Sequence, residues 1–216
     1  MIKRYKTIFQ YGEAEHIIEK SRFIGYAKPV ENEEDALAFI EGIKIKHKNA
    51  THNVPVYIIG EKDDIQRYSD DGEPAGTAGV PILDMLKKEE IKNTAIVVTR
   101  YFGGIKLGTG GLVRAYTATA KLALQQAKII EKVLYDVVSI KIDYTLLGKV
   151  QNELMIKEYS IKETVFEDTV SLFVYVTVEQ SNQLINSITN LTNGKAVMNI
   201  TDTLYLNEYN GRLMKE

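Results

Sequence analysis

Residues 93–128 constrain the fold more than any other stretch of this chain. NTAIVVTR sets Ala95, Ile96, Val97 and Val98 in a row, the pattern of a fully buried strand. LVRAYTATAKLALQQAK (112–128) is the strongest helix pattern in the sequence. Between them, YFGGIKLGTGG (101–111) carries Gly103, Gly104, Gly108, Gly110 and Gly111 within nine residues. Such a strand needs cover, so this half of the chain pairs a sheet with helices. The glycines admit two readings. Consecutive N–H groups opening a helix make an anion site, aided by the helix dipole. Alternatively, the segment is a tight connection that needs small residues. Arg100, Lys106 and Arg114 flank it and favour the first. Neither standard phosphate loop fits, because Thr109-Gly110 follows Gly108 and Val113 stands where a third glycine belongs.

Charge is distributed unevenly. The net charge of −2 predicts no polyanion partner by itself. Residues 1–134 carry 20 Lys+Arg against 18 Asp+Glu, and residues 135–216 carry 7 against 11. Between Glu90 and Glu131 there is no acid, while Lys92, Arg100, Lys106, Arg114, Lys121 and Lys128 all fall there. Arg114, Lys121 and Lys128 are spaced by seven, so they share one helical stripe. That stripe is either a phosphate track or a solvated face. Zero cysteines exclude disulfides, thiol nucleophiles and Cys-ligated metals. No run of about 18 apolar residues predicts a membrane span, and the opening residues lack a secretory core, so a cytoplasmic location is expected.

The remaining elements suit two domains, 1–134 and 135–216, in a chain of 216 residues. In the first, 6–10 and 15–20 read as a hairpin around Gly12, and 23–30 as a strand. Helices are expected over roughly 32–48, 78–90 and 110–128, and strands over 52–60, 62–72 and 93–100, forming one mixed sheet. In the second, a strand from Val138, a helix over 146–158, strands over 159–166 and 170–178, a helix capped by Ser181 and a strand over 196–206 follow. That order is βαββαβ, the ferredoxin-like pattern. Phe173 and Tyr175 alternate with Val170, Leu172, Val174 and Val176. They either pack against the first domain or another protein, the favoured reading, or stack bases on an open sheet face.

Other chemistry is sparse. SDDGEPAGTAG (69–79) sets Asp70, Asp71 and Glu73 within a turn that could hold Mg²⁺, or pair with Arg100 or Arg114 and fix the loop. His16, His47 and His52 form no zinc spacing; His52 and Asn53 suit a polar rim. No serine sits in a nucleophile elbow.

KSRFIGYAKPV, ATHN, YSDDGEPAGTAGVPIL and VVTRYFGGIKLGTGGLVRAYT together resemble the IMPACT/YigZ family, over roughly residues 15–128. The region 136–206 resembles the small second domain of bacterial members, similar to the last domain of elongation factor G. The resemblance implies an α+β protein whose first domain has the fold of the second domain of a small-subunit ribosomal protein. One departure is HNVPVYIIG, where members commonly carry Cys and Ala-Tyr-Arg; Ile58 replaces the arginine. A translation-linked role is also implied, since eukaryotic relatives regulate a kinase of a translation initiation factor and bacterial relatives are proposed nucleic-acid or ribosome binders. The expected function is therefore a non-catalytic, translation-associated regulator binding RNA or the ribosome. Its interface would comprise Arg100, Tyr101, the glycine loop, Lys106, Arg114 and Lys121, without a cofactor. A Mg²⁺-dependent phosphate-binding enzyme and a protein-interaction adaptor are the alternatives.

Overall fold

The computed structural model describes residues 2–214. It divides into two units: one runs to Glu131 and includes Tyr209–Arg212, and the other spans Lys132–Glu208.

The first unit is built on a five-stranded sheet. Its strands are β2 (Gly12–Ile18), β3 (Ser21–Pro29), β4 (His52–Ile59), β5 (Ile65–Tyr68) and β6 (Thr94–Tyr101), in the order β2-β3-β6-β4-β5. Every neighbouring pair is antiparallel, where the sequence pattern suggested a mixed sheet. The strand–helix–strand connection between β3 and β4 does run them in the same direction. Strand β6 inserts between them and opposes both.

The opening hairpin also falls elsewhere. Strand β1 (Arg4–Ile8) pairs with β7 (Ile129–Ile142), not with β2. The turn joins β2 to β3 through Glu19 and Lys20, both at positive φ (45° and 65°), as tight hairpins require. Gly12 answers a different need. A Cβ there would lie 2.3 Å from the backbone nitrogen of Ala127, so glycine lets the chain pass the end of a helix.

Three helices cover the sheet: α1 (Glu33–Lys46), α2 (Gly79–Lys88) and α3 (Gly108–Ala127). Asn32 caps α1, its Oδ1 accepting from the Asp35 amide at 2.9 Å. Alternation along β6 assigns the two faces. Ala95 and Val97 belong to the cluster with Ala36, Ile40 and Ile43 of α1. Ile96 and Val98 belong to the cluster with Ile82 and Leu86 of α2 and with Tyr116 and Leu124 of α3. The four consecutive apolar residues thus reflect burial on both sides. Ile58 is fully buried in the α2/α3 cluster, so it is a core position and not a site for a surface cation.

The second unit follows β7-α4-β8-β9-α5-β10, with α4 (Tyr144–Ile156), β8 (Ser160–Phe166), β9 (Val170–Thr177), α5 (Ser181–Leu191) and β10 (Val197–Tyr209). A two-residue β11 (Arg212–Leu213) lies beside β10, giving the order β11-β10-β7-β9-β8. This is the expected βαββαβ arrangement. Val170, Leu172, Val174 and Val176 pack with Val150 and Leu154 of α4 and with Leu184 and Ile188 of α5. Phe173 and Tyr175 are half-buried, and Tyr175 meets Tyr135 edge-on at 6.5 Å. Ser181 is the first residue of α5 and no cap; its hydroxyl donates to Asp136.

Candidate functional site

Strand β6 carries Arg100 on the same face as Ile96 and Val98, opposite Phe23 of β3 and His52 of β4. The chain then leaves the sheet and returns through the glycine segment into α3. The turn at 69–79 folds over the same end of the sheet, so the two segments meet.

Glu73 joins them. Its side chain is 3 % exposed, and Oε1 accepts from Arg100 Nη1 at 2.6 Å and from the Tyr116 hydroxyl at 2.7 Å. Burial and the Glu73 hydrogen bond push the Tyr116 hydroxyl far above its usual range, so it stays a donor. Arg100 Nη2 reaches Ser21 Oγ at 3.4 Å, while its buried Nε has no partner. Its guanidinium lies between the rings of Phe23 and Phe102, 5.3 Å from each centroid. Arg100 is only 4 % exposed, so it forms no part of the exposed basic patch expected from sequence.

The other acids serve backbone groups. Asp70 accepts from the amides of Gly76 (2.7 Å), Ala78 (3.1 Å) and Gly79 (2.8 Å), and thereby caps α2 from outside that helix. Asp71 accepts from the Asn53 amide at 2.6 Å. His52 Nδ1 lies 2.7 Å from the Asp71 carbonyl; a carbonyl only accepts, so that nitrogen carries the proton. His52 Nε2 then faces Glu73 at 3.7 Å. Asn53 is buried, with Oδ1 accepting from Thr99 at 2.7 Å, so it belongs to the interior and not to a rim. Among the described residues, no group of three or more His, Asp or Glu side chains is placed to hold a metal ion.

The glycine loop has two distinct needs. A Cβ at Gly103 would sit 2.1 Å from the Lys20 carbonyl, so only glycine fits. Its amide donates to Ser21 Oγ at 3.2 Å. Gly108 takes φ +69° where α3 begins. That helix end has no side-chain cap, which leaves its first amides free to meet a ligand. Gly108, Thr109 and Gly110 are exposed.

A cleft of about 480 Å³ opens here, lined among others by His52, Glu73, Arg100, Phe102, Lys106 and Thr109. Lys106 and Arg114 are exposed. Arg114 folds back over the first turn, its Nη1 3.6 Å from where a Gly110 Cβ would stand. Lys121 is exposed too, but bonds Glu89 at 3.2 Å. Tyr101 lies on the opposite face, its hydroxyl 2.9 Å from His47 Nδ1. Its neighbour Phe102, 46 % exposed and held by its amide to Thr51 Oγ1 at 3.0 Å, lines the cleft instead. Strand alternation past the end of β6 was the available signal for Phe102. Tyr116 falls on the buried face of α3 with Leu112, Ala115 and Ala120, and nothing in the sequence pattern marks its hydroxyl.

Comparison with known proteins agrees with this architecture. The Impact N-terminal domain matches residues 19–124, and a domain of unknown function, DUF1949, matches residues 140–195. IMPACT family member YvyE of Bacillus subtilis is 46 % identical over 206 residues, covering 95 % of each chain. IMPACT family member YigZ of Escherichia coli is 38 % identical over 151 residues, covering 66 % of this chain and 74 % of that one. A crystal structure of a hypothetical protein superposes with a TM-score of 0.59 at 28 % identity, covering 94 % of this chain and 99 % of the other. With both domains matched in order, and a relative of that identity spanning nearly its whole length, the chain belongs to the IMPACT family.

Proposed function

We propose that this protein is a non-catalytic, translation-associated regulator that binds RNA, free or on the ribosome, through the cleft at the start of α3. The observation that carries this reading is the uncapped, glycine-lined N-terminus of a 20-residue helix, flanked by Lys106 and Arg114, which have no ion pair among the described residues. Free amides, the positive end of the helix dipole and two cations all favour a phosphate there. Phe102 supplies an exposed ring beside them, suited to a base. The carboxylates that a metal-dependent phosphoryl transfer would need are otherwise engaged: Asp70 on α2, Asp71 on Asn53 and Glu73 on Arg100 and Tyr116. That favours binding over transfer, and the reading requires no Mg²⁺.

Co-sedimentation with ribosomes at low and high salt, alongside anisotropy with a labelled single-stranded RNA, tests the proposal. Binding is expected to weaken with salt. Arg114→Glu is expected to weaken it for every sequence and to lower the logarithmic salt slope by about 0.7 for each phosphate no longer neutralised. No salt-sensitive binding to either target would refute it.

A further inference from the structure

Resting on the RNA reading, we propose that the cleft recognises a phosphomonoester, the 5′-phosphorylated end of an RNA, in preference to the phosphodiesters of a continuing strand. The distribution of usable charge carries this. The stripe expected of Arg114, Lys121 and Lys128 is incomplete, because α3 ends at Ala127 and Lys128 follows it at φ 60°; among the described residues, only Arg114 of the three has neither an ion pair nor a ring contact. Lys121 is bound to Glu89 at 3.2 Å. Lys128 is half-buried, with Nζ 4.3 Å from the Tyr209 ring centroid and 5.8 Å from that of Phe9. Beside the start of α3, the cations without an ion pair among the described residues are Lys106, just before the helix, and Arg114 in its second turn.

The balance of charge at the cleft points the same way. Arg100 and Glu73 neutralise one another at 2.6 Å. Lys106 and Arg114 leave two unbalanced positive charges, besides the helix dipole. A phosphomonoester carries about −1.5 to −2 at neutral pH and offers three terminal oxygens. An internal phosphodiester carries one negative charge and two such oxygens. The successive free amides at the start of α3 match the larger acceptor set.

A second observation is independent of the helix end. Arg100 is only 4 % exposed, lines the cleft, and keeps a buried Nε–H without any acceptor. An orphaned guanidinium donor of this kind marks a place where an incoming oxygen gains a hydrogen bond that the protein does not supply. The cleft volume of about 480 Å³ lies toward the small end of ligand sites, room for a terminal nucleotide and not for a strand. Phe102 then provides the surface for its base.

The test uses the full chain and a 3′-labelled eight-nucleotide single-stranded RNA, prepared with either a 5′-monophosphate or a 5′-hydroxyl. The expected result is at least about tenfold tighter binding of the phosphorylated RNA, with competition by adenosine 5′-monophosphate but not by adenosine. Gly110→Asp places a carboxylate beside Arg114 at the helix start, where a Cβ meets, apart from the helix's own backbone and its chain neighbours, only Arg114 Nη1 within 4 Å. It should preserve or raise the melting temperature and reduce the phosphorylated RNA to the affinity of the hydroxyl form. Equal affinity for the two RNAs, still abolished in Arg114→Glu, overturns end recognition and leaves the RNA reading standing. Binding of adenosine 5′-monophosphate as tight as that of the phosphorylated RNA overturns it too, and assigns the phosphomonoester site to a free nucleotide. If neither RNA nor any phosphate compound binds, both proposals fall.

Discussion

Glu73 gives the sharpest test of how this end of the first unit is held. Glu73→Ala removes the acceptor shared by Arg100 Nη1 (2.6 Å) and the Tyr116 hydroxyl (2.7 Å). Arg100 would be left 4 % exposed with its charge uncompensated, and its Nε already has no partner. Breaking a buried ion pair from one side costs about 3–5 kcal/mol. The orphaned Tyr116 hydroxyl belongs to the same network, so its penalty overlaps that figure. For a unit of this size the loss corresponds to a fall in melting temperature of roughly 10–20 °C. Arg100→Met should cost a similar amount, because the buried Glu73 carboxyl is then left with only Tyr116 as donor. The double variant Glu73→Met with Arg100→Met removes both charges together. It should lose several kcal/mol less than the sum of the single variants, a coupling of at least about 2 kcal/mol. Urea unfolding read through hydrogen exchange at β6 amides reports on the first unit alone. A loss below about 1 kcal/mol for Glu73→Ala, or simple additivity in the cycle, would refute the claim that this buried pair fastens the 69–79 turn to β6.

Three further outcomes follow from the geometry. Gly103→Ala should destabilise the first unit by about 2 kcal/mol or more, since its Cβ would meet the Lys20 carbonyl at 2.1 Å; Gly110→Ala, with only Arg114 Nη1 at 3.6 Å, should be neutral or stabilising by up to about 1 kcal/mol in thermal melts. Asp70→Ala should cost about 1–2 kcal/mol by denaturant titration, because the Gly76 amide of the turn and the Ala78 and Gly79 amides at the start of α2 lose their acceptor, and Asp70→Asn should recover part of it. Burial, then the charges of Lys46 and Arg22, hold the His47 imidazole below its ordinary value of 6.5. The unfolded chain therefore binds that proton first on acidification, so this contribution is present above about pH 6.5 and lost as pH falls through the lower native value. Urea midpoints from pH 8 to 5 should show the loss, and His47→Gln should flatten it.

Much of the fold was legible because its signals are local. The consecutive apolar run at 95–98, the helix period of 112–128 and the alternation of 170–178 each reflect burial of a single element, and the three elements stand where the pattern put them, save that α3 ends at Ala127 and β9 at Thr177. The pairing of the first strand was not legible. Gly12 between two β-rich runs is indistinguishable, in sequence, from a hairpin glycine, yet its role is to let the chain pass Ala127, more than a hundred residues later, where a Cβ would stand 2.3 Å from the Ala127 nitrogen. The true turn, Glu19-Lys20, has none of the Gly or Asn signature that its positive φ values favour. The antiparallel sheet escaped for a related reason: strand insertion is a long-range event, and β6 leaves no mark on the sequences of β3 and β4 that it separates.

The candidate site divides along the same line. Spacing identified the segments, because glycines, acids and basic residues clustered in sequence. It could not say which charges remain available. Arg100 and Arg114 read alike, as arginines flanking a glycine loop, but strand alternation turns Arg100 into the sheet-to-helix layer, where Glu73 meets it. Arg114 sits on the exposed side of the second turn of α3, folds back over the first, and keeps its charge for solvent or a ligand. Asp70 and Asp71 likewise read as a carboxylate pair, yet one faces the amides of α2 and the other the amide of Asn53. Among the described residues, three of the six basic residues in that stretch are ion-paired and Lys128 lies against the rings of Tyr209 and Phe9, which leaves Lys106 and Arg114 at one helix start. The proposed phosphate site rests on that remainder, not on the charge written along the chain.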